Sequence, residues 1–168
     1  MEEIINKVAE SGLIQMDLAD YKPAKNNIVG IDLADQLWEG LVLREKDFRS
    51  FLVENDWSVF EDKYVFVYCS ADAIVPTWAY MLVTSKLHGI ARLVVVGSQE
   101  ELEKEIIKGT IQHLDLAPFI DGRIIIKGCA DITSPEYAMS LLVQHFQPVV
   151  KSIMYGEPCS TVPVYKRK

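Results

Sequence analysis

The 168-residue chain has a formal charge of −7 and is 49% hydrophobic and 24% charged, a balance that suits one soluble globular domain with a sizeable core. The acidic excess argues against general affinity for nucleic acid phosphates. No stretch reaches the roughly 18 apolar residues of a membrane span, and Met1-Glu2-Glu3-Ile4 lacks the positive charge and apolar segment of a signal peptide. A cytoplasmic protein is expected, and three cysteines in that compartment point to reduced thiols or metal ligation rather than disulfides.

Residues 2 to 10 have helical spacing, with Ser11-Gly12 as the stop. Leu13, Met16 and Leu18 suggest an extended segment running into a polar loop from Asp20 to Asn27. Two apolar runs, residues 28 to 33 and 37 to 43, separated by Ala34-Asp35-Gln36, fit an antiparallel hairpin. Residues 44 to 55 read as a helix that turns Phe48, Phe51 and Leu52 inward and its charges outward.

From Glu61 the pattern becomes strand, helix, strand, helix, the signature of βαβ units on a parallel sheet. The first unit centres on Tyr64-Val65-Phe66-Val67-Tyr68-Cys69-Ser70-Ala71-Asp72 and the second on Arg123-Ile124-Ile125-Ile126-Lys127-Gly128-Cys129-Ala130-Asp131. With Pro76 set against Pro135, Asp72 matches Asp131, Ala79 matches Ala138, Leu82 matches Leu141, Arg92 matches Lys151 and Gly97 matches Gly156. Aligning the two cysteines drops one residue from the second copy. We read this as a duplication, with both prolines at the favoured first helical position. Between the copies, Ser98 and Glu101 form a capping box for a helix carrying Leu102, Ile106, Ile107 and Ile111.

Cys69, Cys129 and Cys159 each lie at or just beyond a predicted strand end. In an open parallel sheet that edge binds ligands, because the loops diverge there and helix N-termini offer free N–H groups. Three thiolates meeting at one edge suit an iron-sulfur cluster or zinc, with Asp72, Asp131 or Glu100 completing the set. Two other readings stand beside it. Cysteine is a common small apolar filler, and a thiol near a helix N-terminus is activated as a nucleophile. The aspartates serve equally to order the loops. His88, His113 and His145 read as structural. Trp78 and Tyr80 suggest core or subunit contact. The tail from Glu157, with two prolines, should run extended, making Cys159 part of a lid if it crosses the crevice, with Lys166-Arg167-Lys168 as a solvated basic tip.

Across its whole length, through Met1-Glu2-Glu3-Ile4-Ile5-Asn6, residues 69 to 80 and residues 151 to 168, the chain resembles an uncharacterised bacterial family, domain of unknown function 2480. The resemblance implies no established activity. It does imply the company of iron-sulfur assembly proteins, and so favours ligation by Cys69, Cys129 and Cys159.

The expected fold is a single α/β domain with a mixed sheet, helices on both faces and the antiparallel N-terminal hairpin at one edge. Its parts are an N-terminal helix, hairpin and helix (1–60), a first βαβ unit (61–98), a connecting helix (99–121), a second βαβ unit (122–156) and an extended tail (157–168). The expected function is that of an accessory protein of iron-sulfur cluster or metal handling. The alternatives are a small-molecule enzyme with a cysteine nucleophile and a non-catalytic homodimeric interaction module with buried structural cysteines.

Overall fold

The computed structural model describes residues 12–22, 24, 27–128, 132–157 and 159–168. The helix expected over residues 2 to 10, and Cys129 and Asp131, lie outside the described residues. In chain order the elements are β1 (Leu13–Asp17), β2 (Ile28–Asp32), α1 (Glu45–Glu54), β3 (Tyr64–Tyr68), α2 (Thr77–Leu87), β4 (Leu93–Val96), α3 (Gln99–Gln112), β5 (Arg123–Lys127), α4 (Pro135–Phe146), β6 (Ser152–Glu157) and β7 (Ser160–Lys166). They are arranged in two compact units, Pro23–Glu103 and Met1–Lys22 with Lys104–Lys168.

In the Pro23–Glu103 unit, β3 alternates, with Val65 and Val67 fully buried and Tyr64, Phe66 and Tyr68 half-buried. It is the central strand of a parallel sheet, order β2-β3-β4, with Ile28 beside Tyr64 and Tyr64 beside Leu93. Ile31, Val65 and Val67 meet Phe48 and Leu52 of α1 and Ala79, Val83 and Leu87 of α2 in one core. Each fully buried aliphatic side chain there contributes roughly 1.5–3 kcal/mol. Because residues two apart share a face, both helices lie on the same side of this sheet. Sequential parallel strands with right-handed crossovers require that placement.

The other unit repeats the plan. Its sheet has the order β1-β5-β6-β7, parallel except for the antiparallel β6–β7 pair. Ile124, Ile126 and Ile153 pack with Ile107 and Ile111 of α3 and with Ala138, Leu142 and Phe146 of α4.

The likeness between the units is closer than the sequence suggested. Tyr64 and Arg123 open β3 and β5, 59 positions apart, and Leu93 and Ser152 open β4 and β6 at the same interval. Buried Phe48, Leu52, Ala79, Val83 and Leu87 match buried Ile107, Ile111, Ala138, Leu142 and Phe146, again 59 apart. Asp62 and Asp121 both take φ 56°, and their N–H groups donate to the carbonyls of Ile90 and Val149 at 3.1 and 2.9 Å. The frame runs through the loops without a gap, so the residue equivalent to Cys69 is Gly128, and Cys129 stands where the first copy has Ser70. The repeat also reaches the strands that precede it. Asp17-Leu18-Ala19-Asp20 after β1 and Asp32-Leu33-Ala34-Asp35 after β2 are identical, both leucines are fully buried, and Asp17 and Asp32 accept from the N–H groups of Ala19 and Ala34 at 2.9 Å each.

The α/β class, the mixed pairing and both βαβ units expected from the sequence are present. Three details differ. The two βαβ units build separate sheets, because each pairs its first strand with its own upstream strand, β1 or β2. Within each unit the helices share one face instead of covering both. The antiparallel hairpin expected over residues 28 to 43 contracts to one bridge between Trp38 and Val42, turning at Glu39 and Gly40 with φ 53° and 70°. The Asp32 cap starts a 3-10 turn over Leu33–Gln36, and β2 pairs in parallel with β3.

Candidate functional site

At the carboxyl end of β2 and β3, the Asp32 carboxylate accepts from the backbone N–H of Ala34 at 2.9 Å and of Ser70 at 3.0 Å. Burial raises the Asp32 pKa, but the Ser70 side chain and the two N–H groups outweigh it and hold the carboxyl below its ordinary value. Burial, followed by the neighbouring Cys69 and Asp32, pushes the Tyr80 phenol up. Cys69 is half-buried against the core of this unit, and its S–H donates to the Ala71 carbonyl at 3.6 Å. Asp72 is exposed in the following loop. The loop is thus ordered by Asp32, which the sequence reading passed over. The repeated Asp-Leu-Ala-Asp was the signal that could have found it.

Of the three expected cysteines, Cys69 and Cys159 are among the described residues, and they belong to different sheets. Cys69 follows β3 in the three-stranded sheet, and exposed Cys159 sits in the tight turn joining β6 to β7 of the four-stranded sheet. Among the described residues no three His, Cys, Asp or Glu side chains are grouped to hold a metal ion. The tail runs extended, as β7 paired with β6. His145 is half-buried, with Nε2 3.2 Å from the Leu114 carbonyl and its ring edge-on to Phe146, a structural setting. Trp78 packs edge-on against Phe48 at 5.9 Å, so it belongs to the core side of α2. The groups on the outward side of that helix are Met81 and its neighbours.

That outward side faces a groove of about 640 Å³ between α2 and β4, lined by Thr77, Tyr80, Met81, Thr84, His88 and Val96. Met81 is 67% and Val96 52% exposed. The equivalent groove along α4, about 270 Å³, has Met139, Ser140, Val143 and Tyr155 at the matching positions, but β7 supplies a further wall through Val162 and Val164. Among the described residues nothing pairs with the outer edge of β4. Its Leu-Val-Val-Val sequence contains no charge, proline or bulge, the devices that ordinarily blunt an edge strand. The outer strand β7 carries Pro163 and Lys166, and its pairing with β6 is broken by a bulge at Ile153/Met154.

No curated protein and no solved structure matches this chain. The family model described as "Protein of unknown function (DUF2480)" matches residues 2–167, and the chain belongs to that family.

Proposed function

We propose that the protein is a non-catalytic interaction module that self-associates by pairing the β4 edges of two copies in antiparallel fashion. The observation that carries this reading is the bare edge of β4, at the position where the repeat places β7 against β6. A two-fold axis perpendicular to the sheet through Val95 sets Val94 of one copy beside Val96 of the other. Each α2 groove then receives the pair of valines that Val162 and Val164 give the α4 groove. The strand is uncharged, so self-pairing sets no like charges opposite one another. The packing of half-buried Cys69 against the core, with its S–H bonded to the Ala71 carbonyl, supports a structural role for that thiol.

Sedimentation equilibrium tests the reading. The intact protein should be a dimer. Val96→Lys and Met81→Glu, at exposed positions, should be monomers with unchanged unfolding profiles. The variant carrying Cys69→Ser, Cys129→Ser and Cys159→Ser should remain dimeric and keep the protein's cellular role. A monomeric wild type overturns the proposal. Stoichiometric metal or acid-labile sulfide that disappears in the cysteine variant, together with the cellular role, would move the function to the iron-sulfur or metal handling read from the cysteines.

A further inference from the structure

A second feature lies at the opposite end of the strands, in the unit that contains β5. Leu13, Arg123, Ser152 and Lys166 stand side by side in one row across β1, β5, β6 and β7. The row lies on the face away from Ile124 and Ile153, which pack under α4. It borders a cavity of about 570 Å³ whose apolar lining includes Leu13, Met154, Pro163 and Tyr165. Five cations also line it: Arg123, Lys151, Lys166, Arg167 and Lys168.

The basic tip is not simply solvated. The Arg167 N–H donates to the Lys151 carbonyl at 2.8 Å, and its guanidinium donates to Asp121 at 2.6 Å. These bonds pin the tail and hold Lys166 and Lys168 at the cavity. Among the described residues, Arg123, Lys151, Lys166 and Lys168 make no ion pair. Four such cations around one cavity repel one another, and in a chain of charge −7 their convergence runs against the general field. The repeat sharpens this. The counterparts of Arg123 and Lys151 are Tyr64 and Arg92, and the Arg92 guanidinium lies over the Tyr64 ring at 5.5 Å from its centre. In that copy the cation has an internal partner, whereas in this copy the aromatic residue is replaced by a second cation.

We infer that the cavity binds a small organic phosphate. The phosphate groups meet the fork of Arg123 and the ammonium groups of Lys151, Lys166 and Lys168. The apolar or aromatic body lies on Met154, Pro163 and Tyr165. A multiply charged phosphate matches four cations better than a single carboxylate does. The inference stands apart from the β4 edge and does not depend on self-association.

Isothermal titration of the full chain with ADP and with inorganic pyrophosphate tests it. ADP should bind saturably, and more weakly as salt is raised, because exposed charges are screened. Arg123→Gln with Lys151→Gln, both exposed, should weaken ADP binding by about tenfold or more while the thermal unfolding profile stays that of the wild type. Lys166→Gln with Lys168→Gln gives an independent variant with the same expected loss. Met154→Ala should weaken ADP and leave pyrophosphate unchanged, and Lys46→Gln on α1 should alter neither. The inference is overturned by no saturable ADP binding, by binding indifferent to both double variants, or by equal affinity for ADP and pyrophosphate with no effect of Met154→Ala.

Discussion

In the copy built on β5, the outer edge of β6 is covered by β7, and the N-terminal ends of the strands gather cations that form no ion pair among the described residues. In the copy built on β3, no described residue pairs with the outer edge of β4, and the matching cation lies over Tyr64. The backbone plan is the same in both, down to the φ of Asp62 and Asp121. Duplication preserved the positions that build the core and turns, and the copies diverged where those positions do not constrain the chain: at a sheet edge and at the strand ends. Such places are where a duplicated fold acquires separate roles.

The deepest level of equivalence is the core. Phe146 and Leu87 occupy the same place in the repeat, and both are fully buried. Phe146→Ala should cost about 3–5 kcal/mol and Leu87→Ala about 2–5 kcal/mol, measured by urea unfolding. A cost under about 1 kcal/mol at either position would break the correspondence of the two cores.

The glycine that follows β4 and its counterpart near the end of β6 should separate the copies by a smaller amount. Gly97 and Gly156 have φ 147° and 120°, so alanine is strained at both, by about 1–3 kcal/mol. A Cβ at Gly156 would meet the backbone carbonyl oxygen of Ser160, which the β6–β7 turn holds in place. At Gly97 it would meet the Glu101 carboxylate, a side chain able to swing aside at the expense of its bond to the Ser98 N–H, now 2.7 Å. Gly156→Ala should therefore destabilise more than Gly97→Ala, and the reverse order would show that the capping box matters more than the turn.

The smallest difference concerns the paired aspartates. Asp32 accepts from the N–H groups of Ala34 and Ser70, whereas Asp17 accepts from that of Ala19 in its own turn, so Asp32→Ala should cost about 1 kcal/mol and Asp17→Ala less. The folded pKa of Asp32 lies below its ordinary value. Its contribution is therefore present above the unfolded carboxyl value of about 3.9 and is lost as pH falls through the folded value. Asp32→Asn should flatten the loss of stability as pH falls below about 5, and an unchanged acid limb would remove Asp32 from the account.

Much of this was legible in the chain. The alternation of Tyr64–Tyr68, the apolar stripe of α1 and the Ser98–Glu101 capping box each report a local preference, and each is realised, the box through bonds of 2.7 and 3.3 Å. Pairing was not legible, because an apolar run such as Ile28–Asp32 states that it is buried and not which strand lies beside it. The alignment on Pro76 and Pro135 already carries the 59-residue frame of the strands, and only the cysteines fall outside it. Matching Cys69 to Cys129 requires a dropped residue, whereas strand register equates Cys69 with Gly128. The cation cavity was hidden because Arg123, Lys151 and Lys166 are far apart in sequence and meet only through the register of β5, β6 and β7.

The strand β1 pairs with β5, Leu13 beside Arg123, although the whole Pro23–Glu103 unit intervenes in the chain. Within that unit β2 needs only to reach β3, Ile28 beside Tyr64. Closing the threefold longer loop costs about 1 kcal/mol more in chain entropy, and long-range pairing of this kind slows folding. During synthesis, β1 leaves the ribosome with no partner until β5 follows, while the intervening unit already has all three of its strands. Chain order therefore sets which pairings become available first: the inner copy can complete its sheet before β5 supplies a partner for β1.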